Sequence, residues 1–579
     1  MDDRGVSQMK MARNWIPDAF SAVRCFTLWS SAQLDSVYIL NEMAPISSRS
    51  WYKWGPRVIM VTAALAVLII LLKKVMDVLV ILWWRPLVIR KIMEKQGIKG
   101  PAYHFLFGNM REIKEINLAA KKLETLDMLE NHAGTLKRVV PFFSLWMKLY
   151  GKTFMYWFGP EPNLYIMDPE LVKEVMSTNF QHYEKPTYVV QIMNALLGRG
   201  LVTAIKEDWA NQRRIVRPAF HFEKLKDMMG DMAASAQELI NNLETIIKDE
   251  GSYAEIEIKQ HIKNVTADII ARTAFGSSYE QGKKVFQVQI KLNKMFEKVL
   301  HLLWIPGFFY IPTADNRKLW KLHKELEKSL QKIVQARLDI VQQEKGMSYG
   351  NDLLGLIVAS SEDSNSPNKA HVRLTTKQLI DECKTFFFAG QETTECLLTW
   401  TLMLLALHPE WQDRAREEVE EVCQGMPLDA SHLSRLKIMG MVLHETARLY
   451  PPVISVTRVA CKDMQLRNIF VPKGLSIEIP IISIHMDPDL WGEDASEFKP
   501  ERFAHGVASA CKHPLGYMPF SMGPRKCLGQ TYALMEAKVV LVAILQRFTF
   551  CLSSNYEHCP ESGLLLYPRR GVQLLMDTL

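Results

Sequence analysis

One basic, glycine-rich segment places a cysteine where it could do chemistry. Residues 520–529 read FSMGPRKCLG, so Cys527 closely follows Arg525 and Lys526. Neighbouring cations stabilise a thiolate, and a bend that contains glycines leaves backbone N–H groups free to point at the sulfur. A thiolate in this setting could act as a nucleophile or as a metal ligand.

These two roles need different partners. An acyl-transfer nucleophile needs a base, and nothing near Cys527 supplies one. Zinc needs further cysteine or histidine ligands at short spacing, and the sequence around the loop has none. Haem iron needs only one ligand from the protein, so a single thiolate suits it best.

A long apolar helix is the second feature that could hold such a group. Thr375 and Gln378 fit a capping box, and the apolar pattern continues to about His408, before a proline. Because this helix is apolar nearly all round, we expect it to cross the middle of the fold. Its centre reads FFFAGQETTE, where the small pair Ala389 and Gly390 should let a flat group approach the backbone.

Five motifs together carry a resemblance to a known family. The cysteine loop fits the pattern F-x-x-G-x-R-x-C-x-G, and here the chain resembles the cytochrome P-450 family of haem-thiolate monooxygenases. Four more motifs stand in the family's order: WANQR at 209–213, AGQETT at 389–394, ETAR at 445–448 and PERF at 500–503. Within the family the chain looks most like the plant clan that holds cytokinin, gibberellin and brassinosteroid hydroxylases.

The resemblance implies a haem cofactor and the residues that bind it. Cys527 would be the axial ligand of the haem iron, in a loop shaped by Phe520, Gly523 and Gly529. The residues implied to bind the haem propionates are Trp209, Arg213, Arg458 and Arg525. Trp209 and Arg213 could instead be a plain packing pair four residues apart on a helix.

The resemblance also implies a catalytic pair and a structural triad. Glu392 and Thr393 would order water and relay protons to the distal oxygen. The triad behind the haem loop would be Glu445, Arg448 and Arg502. Two simpler interpretations stay open: Glu445 and Arg448 could be an ordinary surface pair, and Thr393 could only bond back to its own helix.

The expected fold is that of the same family: mainly α with small β-sheets (α+β), in one large domain over residues 96–579. Residues 153–176 predict two short strands around a Gly-Pro turn and then a helix capped by Asp168, with Pro169 at its first position.

The N-terminal region predicts a membrane anchor. Residues 58–72, VIMVTAALAVLIILL, are apolar apart from one threonine, and we expect residues 51–95 to form a transmembrane anchor with its juxtamembrane segment. Three basic residues precede the span and six follow it, which favours a cytosolic location for the large C-terminal part. We expect a single-pass protein of the endoplasmic reticulum membrane; the alternative for residues 58–72 is a buried core helix. Residues 1–50 lie outside the resemblance, as an extra tail or an extension upstream of a start at Met43.

Composition and charge narrow the partners. The net charge of +7 contains no dense basic block, so we expect no nucleic-acid partner, whereas membrane lipid or an acidic partner would suit it. Nine cysteines without a repeated spacing favour a reducing compartment over a disulfide framework.

The predicted activity is insertion of one oxygen atom of O2 into a lipophilic small molecule, such as a plant hormone, a terpenoid or a fatty acid. The segment GRGLVT at 198–203 lacks the last glycine of a dinucleotide-binding motif. Electrons would therefore come from a separate NADPH-dependent flavoprotein reductase. The alternatives are a haem-thiolate isomerase or dehydratase, and a non-catalytic haem sensor or carrier.

Overall fold

The computed structural model describes residues 48–579 except 122–131, 252, 277–278, 300–301, 303–304, 306, 344–348, 363–372 and 427. The predicted tail 1–50 therefore lies, up to residue 47, outside the described residues. The chain divides into two units, Met1–Val80 and Ile81–Leu579.

The described part of the first unit is one helix, α1 (Ser48–Leu79). Its apolar side chains from Ile59 onward are exposed. Within the ranges given above, no helix combines the length and the apolar composition that a membrane crossing requires. The anchor at residues 51–95 therefore stays a prediction.

The second unit is mainly helical. Its α-helices are α2 (Arg85–Glu94), α3 (Met110–Ala120), α4 (Ala133–Val139), α5 (Pro141–Tyr150), α6 (Pro169–Lys173), α7 (Thr187–Leu197), α8 (Lys206–Val216), α9 (Phe222–Asp227), α10 (Met229–Glu250), α11 (Ile258–Phe275), α12 (Tyr279–Val299), α13 (Ala314–Gln343), α14 (Leu353–Glu362), α15 (Thr376–Leu407), α16 (Pro409–Cys423), α17 (Lys437–Leu449), α18 (Ile481–His485), α19 (Pro488–Trp491) and α20 (Gln530–Leu545).

Small sheets complete this unit. The strands are β1 (Thr153–Phe158), β2 (Glu161–Ile166), β3 (Tyr183–Glu184), β4 (Tyr253–Glu257), β5 (Val456–Ala460), β6 (Met464–Leu466), β7 (Ile469–Val471), β8 (Ser476–Ile479), β9 (Phe548–Leu552), β10 (Pro560–Ser562), β11 (Leu566–Pro568) and β12 (Gln573–Thr578). The largest sheet has the order β1-β2-β8-β5-β3, and a second has the order β4-β12-β9. Strands β2 and β8 pair in parallel, and β1 and β2 form an antiparallel hairpin. The predicted class, mainly α with small β-sheets, is confirmed.

Local sequence signals act as predicted at the first hairpin. Strands β1 and β2 flank the turn at Gly159, whose φ is +59°. After β2, the Asp168 side chain accepts the N–H groups of Glu170 and Leu171 and so caps α6, which begins at Pro169. The hairpin and the capped helix are confirmed.

Helix α15 forms the predicted central element. Thr375 and Gln378 make the reciprocal bonds of a capping box at its start, and His408 is its C-cap. The glycine in its middle has a different use from the one expected. A Cβ on Gly390 would lie 2.9 Å from Ile270 Cδ1 of α11, so this glycine lets α11 pack closely against α15.

Candidate active site

The cysteine loop lies between a short 3₁₀ turn, Gly523–Arg525, and the start of α20. The Cys527 N–H donates to the Phe520 carbonyl at 2.8 Å and closes the loop. Gly523 has a φ of +69°, and a Cβ there would lie 2.1 Å from the Met176 carbonyl oxygen. Glycine is therefore required at this position for both its backbone angle and its size.

Cys527 is an exposed residue, and protein atoms lie closely around its thiol. Burial raises its pKa, while the Gly529 N–H, Arg213 and Lys526 act in the opposite direction. Gly529 itself is not needed for space, because a Cβ there would only touch Phe220 at 3.8 Å. A thiol on an exposed residue, beside an amide and two cations, fits a ligand of haem iron.

Five of the other described cysteines lack this combination. Cys383 and Cys396 are buried within α15, and burial raises their pKa values. Cys559 is buried 3.0 Å from Arg138 Nη2, and its loop has no glycine bend around the sulfur. Cys461 and Cys551 are exposed, at the end of β5 and within β9.

Helix α8 brings two predicted haem-facing residues to the cysteine loop. Arg213 Nη2 donates to the Lys526 carbonyl at 2.8 Å. The Arg213 and Arg525 guanidinium carbons lie 5.8 Å and 4.2 Å from the centre of the Trp209 ring. The structure thus places Trp209, Arg213 and Arg525 together, and plain packing on one helix does not account for their contacts with the loop.

Arg458 joins this group from strand β5. Its side chain is buried, and its pKa falls to about 10 because of burial first and the charge of Arg525 second. Strand β3 pairs with β5 so that Glu184 lies opposite Val459. Arg525 Nη2 binds the Glu184 carboxylate at 2.7 Å. Among the described residues, Nε and Nη1 of Arg525 have no hydrogen-bond partner.

These unsatisfied donors allow a test of the implied cofactor. Leaving a buried charged donor unpaired costs about 1–3 kcal/mol or more, so a ligand oxygen is expected beside Arg525. A carboxylate matches the guanidinium group in charge and shape. The residues at the cysteine loop therefore fit haem, which combines an iron atom for the sulfur with carboxylates for the arginines.

Sequence reasoning missed Glu184. Its carboxylate accepts both the Arg525 guanidinium and the backbone N–H of Lys206, the first residue of α8. The three residues are distant in sequence, and the only local signal is an acid next to a lysine before Pro186.

On α15, Glu392 and Thr393 have separate partners. Glu392 accepts a hydrogen bond from Asn293 Nδ2 at 2.9 Å and lies 3.8 Å from Lys263 Nζ. The Thr393 hydroxyl donates to the Ala389 carbonyl at 2.6 Å. The bond back to its own helix is therefore present, and the oxygen keeps lone pairs that can accept another hydrogen bond. Among the described residues, neither side chain hydrogen bonds to loop 520–529.

The predicted triad is assembled and buried. Arg448 binds both oxygens of Glu445 at 2.7 Å on α17. Arg502 Nε lies 3.4 Å from Glu445 Oε1 and also binds Asp494. Because Glu445 and Arg448 are fully buried, the surface-pair interpretation is wrong.

Comparison with known proteins agrees with the haem site described above. A family model described as Cytochrome P450 matches residues 133–576. The chain is 41% identical to Cytochrome P450 CYP72A616 of Paris polyphylla, over 86% of this chain and 95% of that protein. It is 40% identical to Cytochrome P450 734A6 of Oryza sativa subsp. japonica, over 86% of this chain and 93% of that protein. With Cytochrome P450 734A1 of Arabidopsis thaliana it shares 38% identity, over 91% of this chain and 97% of that protein.

Proposed function

Because this chain belongs to the cytochrome P450 family of haem-thiolate monooxygenases, we propose that Cys527 provides the thiolate for the haem iron. The position of the Cys527 thiol, beside the Gly529 N–H and near the buried Arg525, carries this assignment. Bound haem supplies the activation of O2 and the insertion of one oxygen atom into the substrate, and thiolate ligation favours cleavage of the O–O bond.

The cations around Trp209 would orient the cofactor. Arg525 offers two unsatisfied donors, and Arg213 and Arg458 add positive charge on two further sides of the site. Bidentate contacts between arginine and carboxylate fix orientation as well as position. We assign Arg213, Arg458 and Arg525 to the haem carboxylates, with Trp209 packed beneath two of the guanidinium groups.

Glu392 and Thr393 would deliver protons to the oxygen side of the site. The Glu392 side chain is 17% exposed, so it can exchange protons with water while Asn293 and Lys263 hold it in place. Thr393 keeps one donor bond to Ala389 and can accept a bond from water on its other side. This arrangement supports a water-mediated transfer from the carboxyl group to the hydroxyl group.

The substrate would be a lipophilic small molecule, such as a plant hormone, a terpenoid or a fatty acid. Two apolar segments support this assignment: α7, which packs against α15, and the segment around Leu566, whose carbonyl accepts the Trp400 indole N–H of α15. Apolar linings favour lipophilic ligands.

The electron donor would be a separate NADPH-dependent flavoprotein reductase. Lys526, Arg214 and Arg217 are exposed on the side of the cysteine loop, where they could meet an acidic surface. The exposed apolar side chains of α1 support association of the N-terminal segment with the membrane of the endoplasmic reticulum, with the second unit in the cytosol.

A substitution of the cysteine tests the central assignment. Cys527→Ser should abolish the carbon-monoxide absorption band of reduced, thiolate-ligated haem. Cys461→Ser, which alters another exposed cysteine, should leave that band unchanged. An unchanged band in Cys527→Ser would show that another residue binds the iron.

Helix α15 carries a second threonine, Thr401, that can serve as a control for Thr393. Thr393 and Thr401 each donate to the carbonyl four residues earlier, at 2.6 Å and 2.7 Å. Thr393→Ala should raise the peroxide formed per NADPH by several-fold, because protons then reach the bound oxygen less selectively, while the carbon-monoxide band persists. Thr401→Ala should lose the same kind of hydroxyl bond without extra peroxide. Equal peroxide yields in both variants would remove Thr393 from the route.

A screen would identify the substrate and test the partner. The purified protein, an NADPH-dependent plant reductase and O2 would be incubated with hormones, terpenoids and fatty acids. The expected result is a product heavier by one oxygen atom that forms only with NADPH. NADPH oxidation without any oxygenated product across all three classes would contradict the proposed substrate range.

A further inference from the structure

A single buried carboxylate links the elements that surround the haem carboxylates. Glu184 Oε2 binds Arg525 Nη2 at 2.7 Å, and Glu184 Oε1 accepts the Lys206 N–H at 3.1 Å. Lys206 begins α8, which carries Trp209 and Arg213. Glu184 therefore connects the cysteine loop, strand β3 and the start of α8.

Its neighbour in sequence strengthens the same connection. Lys185 Nζ donates to the carbonyls of Val202 and Ala204 at 2.5 Å and 3.1 Å, in the segment that leads into α8. The pKa of Lys185 is lowered well below its usual range, by burial first and then by the charges of Arg525 and Arg458. Glu184 and Lys185 thus attach this segment to β3 at three backbone atoms.

Basic side chains outnumber acidic ones around Arg525. Arg525 and Arg458 are buried basic side chains, and Glu184 is the carboxylate in contact with Arg525. A second carboxyl group, Glu382, lies near Lys185, and burial raises its pKa to about 8. A charge at a site of low dielectric acts over longer distances than one in water. The charge of Glu184 therefore contributes to the electrostatic potential felt by a group bound at Arg525.

We propose that Glu184 is a positioning residue for the haem carboxylates and that its negative charge lowers the reduction potential of the haem iron. It holds Arg525 through Nη2, which leaves Nε and Nη1 without a hydrogen-bond partner among the described residues, and it binds the N–H of the first residue of α8. Reduction adds negative charge to haem, and a nearby carboxylate opposes that addition. The inference rests on the proposed haem site.

Two variants separate the effect of the charge of Glu184 from the effect of its side-chain length. Glu184→Gln keeps the length of the side chain and removes the charge, whereas Glu184→Asp keeps the charge and shortens the side chain. Glu207→Gln is the matched control, because Glu207 is exposed in the first turn of α8. The potential would be measured by spectroelectrochemical titration of each haem-loaded protein.

In Glu184→Gln the equilibrium for reduction should move toward ferrous haem by about three- to tenfold, from one charge interacting at an effective dielectric constant near 20. Glu184→Asp and Glu207→Gln should stay close to the wild-type potential. An unchanged potential in Glu184→Gln, or an equal shift in Glu184→Asp or Glu207→Gln, would overturn the proposal.

The haem content of each purified variant would be measured as well, because a variant that binds no haem has no potential to measure. If Glu184→Gln holds no haem, Glu184→Asp should still load it, and failure of both variants would overturn the role of the charge. The carbon-monoxide band separates this inference from the proposed function. A wild-type band in the loaded variants keeps the assignment of Cys527 whatever the potentials show.

Discussion

Two buried glutamate–arginine pairs in this protein, Glu445–Arg448 and Glu184–Arg525, have the same chemistry and different surroundings. Both have contacts of 2.7 Å. Arg448 has five hydrogen bonds, two to Glu445 and three to backbone carbonyls, which matches the number of its N–H donors. Arg525 binds Glu184 and leaves two of its nitrogen atoms without a partner among the described residues.

The difference distinguishes a structural pair from a binding pair. A buried ion pair is strong when every remaining donor and acceptor is satisfied, and then it has nothing left to offer a ligand. The three carbonyls at Arg448 come from His485, Ala495 and Glu497, so the pair joins α17 to the end of α18 and to the chain that follows it. Arg525 is held at one side only, and its free side can bind a carboxylate.

The largest effect is expected from breaking the satisfied pair. Arg448→Ala removes five hydrogen bonds and leaves the buried Glu445 with the Lys499 N–H and the 3.4 Å contact to Arg502. Loss of its bidentate partner should cost about 3–5 kcal/mol in the free energy of unfolding. Denaturant unfolding followed by circular dichroism would measure the change. Arg414→Ala is the control: Arg414 forms an exposed contact with Glu501 at 3.2 Å, and it should cost about 1 kcal/mol or less. Equal losses would show that full satisfaction of Arg448 does not stabilise the fold.

The second prediction concerns the Glu184–Arg525 pair. Arg525→Lys keeps the positive charge next to Glu184 and loses the planar fork that can bind a carboxylate with two N–H groups. The rate of haem transfer to an apoglobin acceptor should rise by about tenfold, which corresponds to about 1.4 kcal/mol, with little change in unfolding of the haem-free protein.

A neighbouring arginine provides the control for this substitution. Arg214 is exposed on α8, where its Nη2 donates a 3.4 Å hydrogen bond to Asn211 Oδ1. Arg214→Lys should leave the transfer rate unchanged. If Arg525→Lys destabilised the haem-free protein as much as Arg448→Ala, the distinction between the two pairs would fail.

The sequence predicted features that depend on local spacing. The cysteine loop, the capping box of α15 and the cap of α6 each occupy a few consecutive residues, and the structure forms all three. Resemblance to the family also predicted the triad, although Arg502 lies far along the chain from Arg448.

Features that depend on packing between distant segments could not be predicted. Glu184 and Arg525 are 341 positions apart in the sequence, and the hydrophobic periodicity of a sequence does not predict such a contact. Gly198 and Gly200 looked like part of a nucleotide-binding motif, whereas a Cβ on either would collide with Asp381 or Thr385 of α15, at 2.1 Å and 2.2 Å. Both glycines, like Gly390, allow close packing on α15.

The last prediction concerns the pH dependence of stability at the Glu445–Arg448 pair. His485 is buried beside Arg448: the Met518 N–H donates to Nε2 at 2.9 Å, which leaves the proton on Nδ1 to face the Arg448 carbonyl at 3.2 Å. The pKa of His485 is lowered from 6.5 to about 3, by burial first and by the charge of Arg448 second.

This shift determines the sign of the pH dependence. Because the folded pKa lies below the unfolded one, the unfolded chain binds the proton first as the pH falls below about 6.5. The free energy of unfolding should then decrease by up to about 1.4 kcal/mol per pH unit from His485 alone, until the pH approaches the folded pKa. His485→Gln replaces the titrating ring with a neutral amide, whose oxygen can accept a hydrogen bond as Nε2 does. The slope of unfolding free energy between pH 6 and pH 4.5 should therefore become shallower, as measured by urea titrations at several pH values. An unchanged slope would mean that His485 does not couple protonation to the satisfied pair, and the contrast with Arg525 would then rest on hydrogen bonds alone.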